Sequence, residues 1–265
     1  MLSNANLSVN EFTDELWRRL DQHLHENLQE CQKRGEVPVA VFDADGTLWD
    51  EDAGEAFFKW QIENCGFELP ADPWQHYFAW KARDPLGAYG WLAQISAGQS
   101  LSQVRDWASQ CARSNAPWPV FESQRHLLKK LQAWGVEIYV VTASVKWAVE
   151  PLALEYFGLP YERVIGIECE IDPRDVLRTE VKLPITWRDG KAQALRARIG
   201  DRQPILTCGN TYGDIALIET ATAKGIRLMI QTRPDNEAEV GLGREEAKLR
   251  AHGRALNWWL HSFRR

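Results

Sequence analysis

The chain has 265 residues, and its 31 Lys and Arg stand against 37 Asp and Glu for a formal net charge of −6. That acidic balance excludes the basic face that nucleic-acid binding needs, yet leaves room for a small anion held by a few local cations. A hydrophobic content of 45% and a charged content of 26% are ordinary for a globular chain with one core and an inserted subdomain.

The N-terminal stretch MLSNANLSVNEFTDELWRRL is polar and acidic, which predicts no signal peptide. No apolar run approaches the length that spans a bilayer, so no membrane association is expected. The cysteines (Cys31, Cys65, Cys111, Cys169 and Cys208) are scattered without a CxxC pair. Free thiols in a reducing cytoplasm is the plain expectation.

Residues 11–34 read as a helix, because Phe12, Leu16, Leu20, Leu24 and Leu28 recur every four residues and Gly35 sits where it would stop. Val37–Phe42 is a short apolar run that reads as a buried strand ending at Asp43. Between residues 50 and 118 the apolar residues follow helical spacing. Breakers at Gly66, Pro73, Pro85, Gly98 and Pro117 divide this stretch into four short helices.

Val136–Val141, Pro204–Thr207 and Ile226–Ile230 are further apolar runs. Helical patterns separate them at Val120–Trp134, Val145–Phe157, Asp189–Ile199 and Asp214–Ala221. Strand–helix alternation predicts an α/β fold with a Rossmann-like parallel sheet, whose ligands bind beyond the carboxyl ends of the strands. Ile167–Ile171 and Thr179–Leu183 alternate as a small hairpin around Asp172-Pro173, and Glu245–Phe263 reads as a final helix. The helical insertion predicts a lid over the sheet, giving a core of residues 1–48 and 119–265 and a cap of residues 49–118.

Four groups carry candidate chemistry. In Asp43-Ala-Asp45-Gly-Thr47-Leu-Trp49 two carboxylates at a strand end can converge on a hard cation. One can attack phosphorus while the other moves protons, although an Asx turn capped by Gly46 accounts for the same residues. Thr142 follows an apolar strand and suits either a phosphate oxygen or a helix cap, with Ser144 the better cap for the helix that follows. Lys191 opens a helix, where its charge opposes the macrodipole; a solvated surface lysine is the plainer alternative. Gly209-Asn210-Thr-Tyr-Gly213-Asp214 offers oxygen donors after a tight turn.

In this order the groups resemble the haloacid dehalogenase (HAD)-like hydrolase superfamily, and within it the phosphoserine phosphatase-like group. DADGTLW is similar to its first motif, VVTAS to its second, Lys191 to its third and GNTYGD to its fourth. The resemblance spans residues 37–230 and implies a HAD core with a helical cap. Asp43 would be nucleophile and metal ligand, and Asp45 the general acid/base and a ligand through its carbonyl. Thr47, Thr142, Ala143 and Lys191 would bind the phosphoryl group. Asn210 and Asp214 would complete an Mg²⁺ site, with Asn210 standing where the family usually has Asp.

Asp52 falls where phosphoserine phosphatases carry a Glu that reads an ammonium group, with Glu55 nearby. These acids suit a cationic alcohol, or merely a helix N-terminus that favours negative charge. Tryptophans could cage a quaternary ammonium, Trp49 foremost, but aromatics at helical spacing are more often core. Lys81 and Arg83 could instead meet a substrate carboxylate, or be solvated. The resulting expectation is a cytoplasmic, Mg²⁺-dependent phosphatase of a small phosphorylated metabolite such as phosphoserine or phosphocholine. A phosphotransferase or mutase, or a non-catalytic phospho-ligand-binding protein that Asn210 would explain, are the alternatives.

Overall fold

The computed structural model describes residues 11–233 and 241–263. Helix α1 (Asp14–Arg34) begins where the Thr13 side chain accepts from the Leu16 amide and ends at Gly35, whose φ of 66° suits glycine. It leads into β1 (Val39–Phe42), in which every residue is buried.

The insertion then forms α2 (Ala53–Asn64), α3 (Pro73–Lys81), α4 (Pro85–Gln94) and α5 (Leu101–Ser114). Each starts on a side-chain cap, from Asp52, Asp72, Asp84 and Ser100 respectively. Proline at the first turn of α3 and α4 removes an amide that has no helical partner there. The four expected helices are present.

The chain continues through α6 (Glu122–Ala133), β2 (Glu137–Val145), α7 (Lys146–Phe157) and β3 (Val164–Ile167). The hairpin β4 (Cys169–Ile171) and β5 (Leu177–Val181) pairs antiparallel, as the alternating pattern predicts. Then come α8 (Asp189–Ile199), β6 (Leu206–Gly209), α9 (Ile215–Ile218), β7 (Ile226–Gln231), α10 (Gly241–Ala255) and β8 (Trp259–Ser262). A six-stranded parallel sheet in the order β3-β2-β1-β6-β7-β8 results, a Rossmann-like α/β fold.

Three local expectations are corrected. The final helix stops at Ala255, and Trp259–Ser262 pairs with Leu228–Gln231 as an edge strand. Asn257, at φ 57°, lies in the turn between them. Val164–Ile167 is a strand beside β2 that too short an apolar run conceals. Asp214 ends a single 3-10 turn, and only Ile215–Ile218 is α-helical where a helix to Ala221 is expected.

The chain divides into two compact units: Met1–Asp50, Val120–Tyr139 and Ile199–Arg265 form the first, Glu51–Pro119 and Val140–Arg198 the second. The boundaries fall at Asp50/Glu51 and Pro119/Val120, near the ends of the insertion, and also at Tyr139/Val140 within β2 and at Arg198/Ile199. No helix among the described residues is long and apolar enough to cross a membrane.

Candidate active site

In the first unit, parallel pairing of β1 with β6 sets Phe42 opposite Cys208 and fixes where both strands release their loops. The Asp43 amide donates to the Cys208 carbonyl at 2.9 Å, so Asp43 and Asn210 emerge at one edge of the sheet. Asp43 is only 5% exposed and Asn210 1%. The Thr47 hydroxyl lies 3.1 Å from Asp43 Oδ2 and 3.3 Å from Asn210 Oδ1, so one buried hydroxyl gathers both side chains.

Gly46 has φ 74°, and a Cβ there would collide with Asn210 Nδ2. A residue with a side chain is therefore excluded twice, by strain and by space. Asn210 Nδ2 is buried with no hydrogen-bond partner among the described residues.

Asp214 is fully buried, and its Oδ2 accepts from the Asn210 amide, the Thr211 amide and the Thr211 hydroxyl at 3.2, 2.9 and 2.9 Å. Those bonds close the loop that presents Asn210. Trp49 is 0% exposed, and its indole N–H donates to Asp45 Oδ1 at 2.8 Å. The Trp49 ring thus presents no exposed face, and its polar edge is engaged by Asp45. Five other tryptophans of the insertion pack on aromatic neighbours, Trp60 on Phe57, Trp74 on Phe58, Trp80 and Trp91 on each other and Trp107 on Phe67.

In the second unit, β2 shifts register between Val141 and Val145, and Thr142, Ala143 and Ser144 lie in that irregularity. Thr142 is buried, and its hydroxyl accepts from the Ser144 amide at 3.0 Å. Helix α7 has no side-chain cap bond, so the capping role expected of Ser144 is not the one it takes. Thr186, a residue the sequence did not single out, donates to the Thr142 carbonyl at 2.6 Å and ties this loop to the segment leading into α8. A threonine in a loop carries no signal of such a partner.

Lys191 is 4% exposed, which rules out the solvated surface lysine. A lysine withdrawn this far from water needs anionic or hydrogen-bonding company. A Cβ at Gly190 would run into the Ile185 carbonyl, so the turn before Lys191 requires glycine.

Asp52 caps α2 by accepting from the Glu55 amide at 2.8 Å. Burial first, then the neighbouring Glu55 charge, pushes its pKa up to about 6. Glu55 Oε1 receives Lys81 Nζ at 2.8 Å. Burial works against the charge on Lys81, yet Tyr89, Tyr77 and Glu55 outweigh it and hold the pKa above the usual range. Lys81 is thus engaged by the chain's own carboxylate, while Arg83 Nε donates to the Ala79 carbonyl at 3.1 Å.

The profile of the haloacid dehalogenase-like hydrolases matches residues 40–219. The chain belongs to that family. This HAD-like hydrolase is also similar to the phosphorylcholine phosphatase of Pseudomonas aeruginosa, with 25% identity over 261 positions covering 73% of this chain and 74% of that one. Among solved structures, a protein of unknown function from Bordetella pertussis matches 86% of the hydrolase and 99% of itself, at TM-score 0.65 and 17% identity. A phosphoserine phosphohydrolase-like protein from Francisella tularensis matches 82% and 99%, at TM-score 0.51 and 16% identity. Both likenesses show the fold alone; the family match makes the chain one of the hydrolases.

The oxygens gathered in the first unit of the hydrolase, Asp43 Oδ2 and Asn210 Oδ1, are the donor type a hard divalent cation takes. Among the described residues no three His, Cys, Asp or Glu side chains form a metal-binding group. The residues fit Mg²⁺ as a site of reduced charge.

Proposed function

We propose that this hydrolase cleaves a small phosphate monoester through an aspartyl phosphate on Asp43. The observation that carries the reading is the buried Asp43 carboxylate, fixed beside Asn210 by the Thr47 hydroxyl at the carboxyl edge of β1.

The Asp43 carboxylate attacks phosphorus, and the bond to the alcohol oxygen breaks as Asp45 delivers a proton to that oxygen. Asp45, now ionised, takes a proton from water, whose oxygen attacks the phosphoaspartate. Inorganic phosphate leaves and Asp43 is restored. The Trp49 N–H on Asp45 Oδ1 keeps the carboxyl aimed through both proton transfers. Thr142, Ala143 and the buried Lys191 hold the phosphoryl oxygens, a compact cation suiting that charge. Asp43, the Asp45 carbonyl and Asn210 would hold Mg²⁺, with Asp214 fixing their loop. The bound cation supplies neutralisation of phosphoryl charge.

The reading requires the Thr142 and Lys191 loops to serve the same phosphoryl group as Asp43. Assay of phosphate release from a panel of phosphate monoesters tests it. Asp43→Asn should abolish release, by more than about 10⁴-fold in kcat, with an unchanged circular dichroism spectrum. EDTA should stop it reversibly. Release that persists in either case sinks the mechanism, and turnover that appears only with an added alcohol acceptor favours transfer over hydrolysis.

A further inference from the structure

The second unit contains a cation-binding box that is already filled. Lys81 Nζ sits 2.8 Å from Glu55 Oε1 and over three rings, 5.3 Å from the Tyr77 centroid, 5.6 Å from Phe78 and 5.3 Å from Tyr89. Asp52 adds a second carboxylate close enough to feel the Lys81 charge. Aromatic faces with an acid beside them are the surroundings by which proteins recognise organic ammonium ions. Surface ion pairs have no such enclosure; here the Lys81 and Glu55 side chains are 27% and 23% exposed.

The box lies near residues assigned above to phosphate. Tyr89 feels the charge of Lys191, and its ring centroid is 6.4 Å from that of Trp187. Gly54, two residues past Asp52, packs so closely on Ser144 that a Cβ there would lie 2.8 Å from its hydroxyl oxygen. The first turn of α2 therefore abuts the Thr142–Ser144 loop. A phosphate ester held by that loop and Lys191 would reach toward the box with its alcohol.

We propose that Lys81 is a built-in occupant of this box, so that the hydrolase selects phosphate monoesters whose alcohol brings no ammonium group there. The occupant is tethered to α3, so its effective concentration at the box far exceeds that of any free metabolite. An ammonium-bearing alcohol meets a box whose Glu55 carboxylate is already paired, and adds a like charge beside Lys81. The substrate statement rests on the phosphatase reading; the occupancy of the box does not.

Titration calorimetry of choline and of tetramethylammonium into the full chain tests the occupancy without any turnover. Wild type should bind neither. Lys81→Ala should bind tetramethylammonium at least about tenfold more tightly than wild type, and adding Tyr89→Ala to that variant should remove the gain. A folded Lys81→Ala chain that binds no better than wild type overturns the proposal, as does wild type binding equally well.

Should the variant fail to fold, the Lys81 side-chain resonances of wild type decide. Ring-current shifts and slow ammonium exchange are expected, and resonances like those of solvated lysines overturn the proposal. If occupancy holds while no phosphate ester is hydrolysed, the phosphatase reading alone fails.

Discussion

Two carboxylate clusters in this protein are built in different ways. Around Asp43 the partners are close in sequence or locked by strand register: Thr47 is four residues away, and Asn210 arrives through the parallel pairing of β1 with β6. Around Asp52 and Glu55 the decisive partner, Lys81, comes from a different helix 26 residues on. The first cluster holds the Asp43 carboxylate in a buried loop beside the Thr47 hydroxyl, an arrangement suited to reaction. The second pairs Glu55 internally with the Lys81 ammonium, an arrangement suited to selection. The first arrangement depends on geometry local to the chain, the second on packing between helices.

The comparison breaks most directly at Gly46. Gly46→Ala forces a side chain into a left-handed backbone position and against Asn210, and should destabilise the fold by about 3 kcal/mol in denaturant titration. Phosphate release should fall to background. A variant of wild-type stability would show that the loop relaxes and that the first cluster is not rigid.

Trp49→Phe removes the indole donor from Asp45 and keeps most of the ring volume. A loss of about tenfold in kcat is expected, with KM little changed, because only the orientation of the proton-transferring group suffers. An effect confined to KM would return Trp49 to a substrate-contacting role.

Asn210→Asp restores a charge among the oxygens near Thr47. Mg²⁺ binding followed by calorimetry should tighten roughly tenfold, since ligand charge sets affinity for hard cations. Unchanged or weaker binding would remove Asn210 from the cation site.

The smallest effect concerns pH in the second cluster. The pKa of Asp52 is raised in the folded state, so its proton is held more tightly there than in the unfolded chain. Its contribution to stability is full below the ordinary carboxylate range and is lost as pH rises through about 6. Asp52→Asn keeps a helix-capping side chain but removes the titration. The variant should gain on wild type between pH 4 and 7 in thermal melts, and parallel curves across that range would contradict the shift.

The candidate site was legible in the sequence where its residues sit at fixed distances along the chain. DADGTLW, the glycine before Asn210 and the strand before Thr142 announce themselves because strand ends and tight turns need particular residue types locally. The burial of Lys191 was not legible, because a helix-opening lysine looks alike whether water or protein surrounds it. The burial of Trp49 was not legible for a related reason. Its position after the Asp43–Thr47 loop is local, but the side to which its ring turns depends on what fills the core. Thr186 escaped notice because its only distinguishing partner, the Thr142 carbonyl, lies 44 residues away.

By itself the sequence determined the strand–helix alternation, the helical insertion with its Asp and Ser caps, and the order of the reactive loops, since all follow from periodicity and capping along a few residues of chain. Only the tertiary structure decided that Trp259–Ser262 closes the sheet as a strand, that Trp49 serves Asp45, and that Lys81 fills the box of Glu55, Tyr77 and Tyr89. Each of those depends on which surfaces meet, and that is set by the packing of segments far apart in the chain.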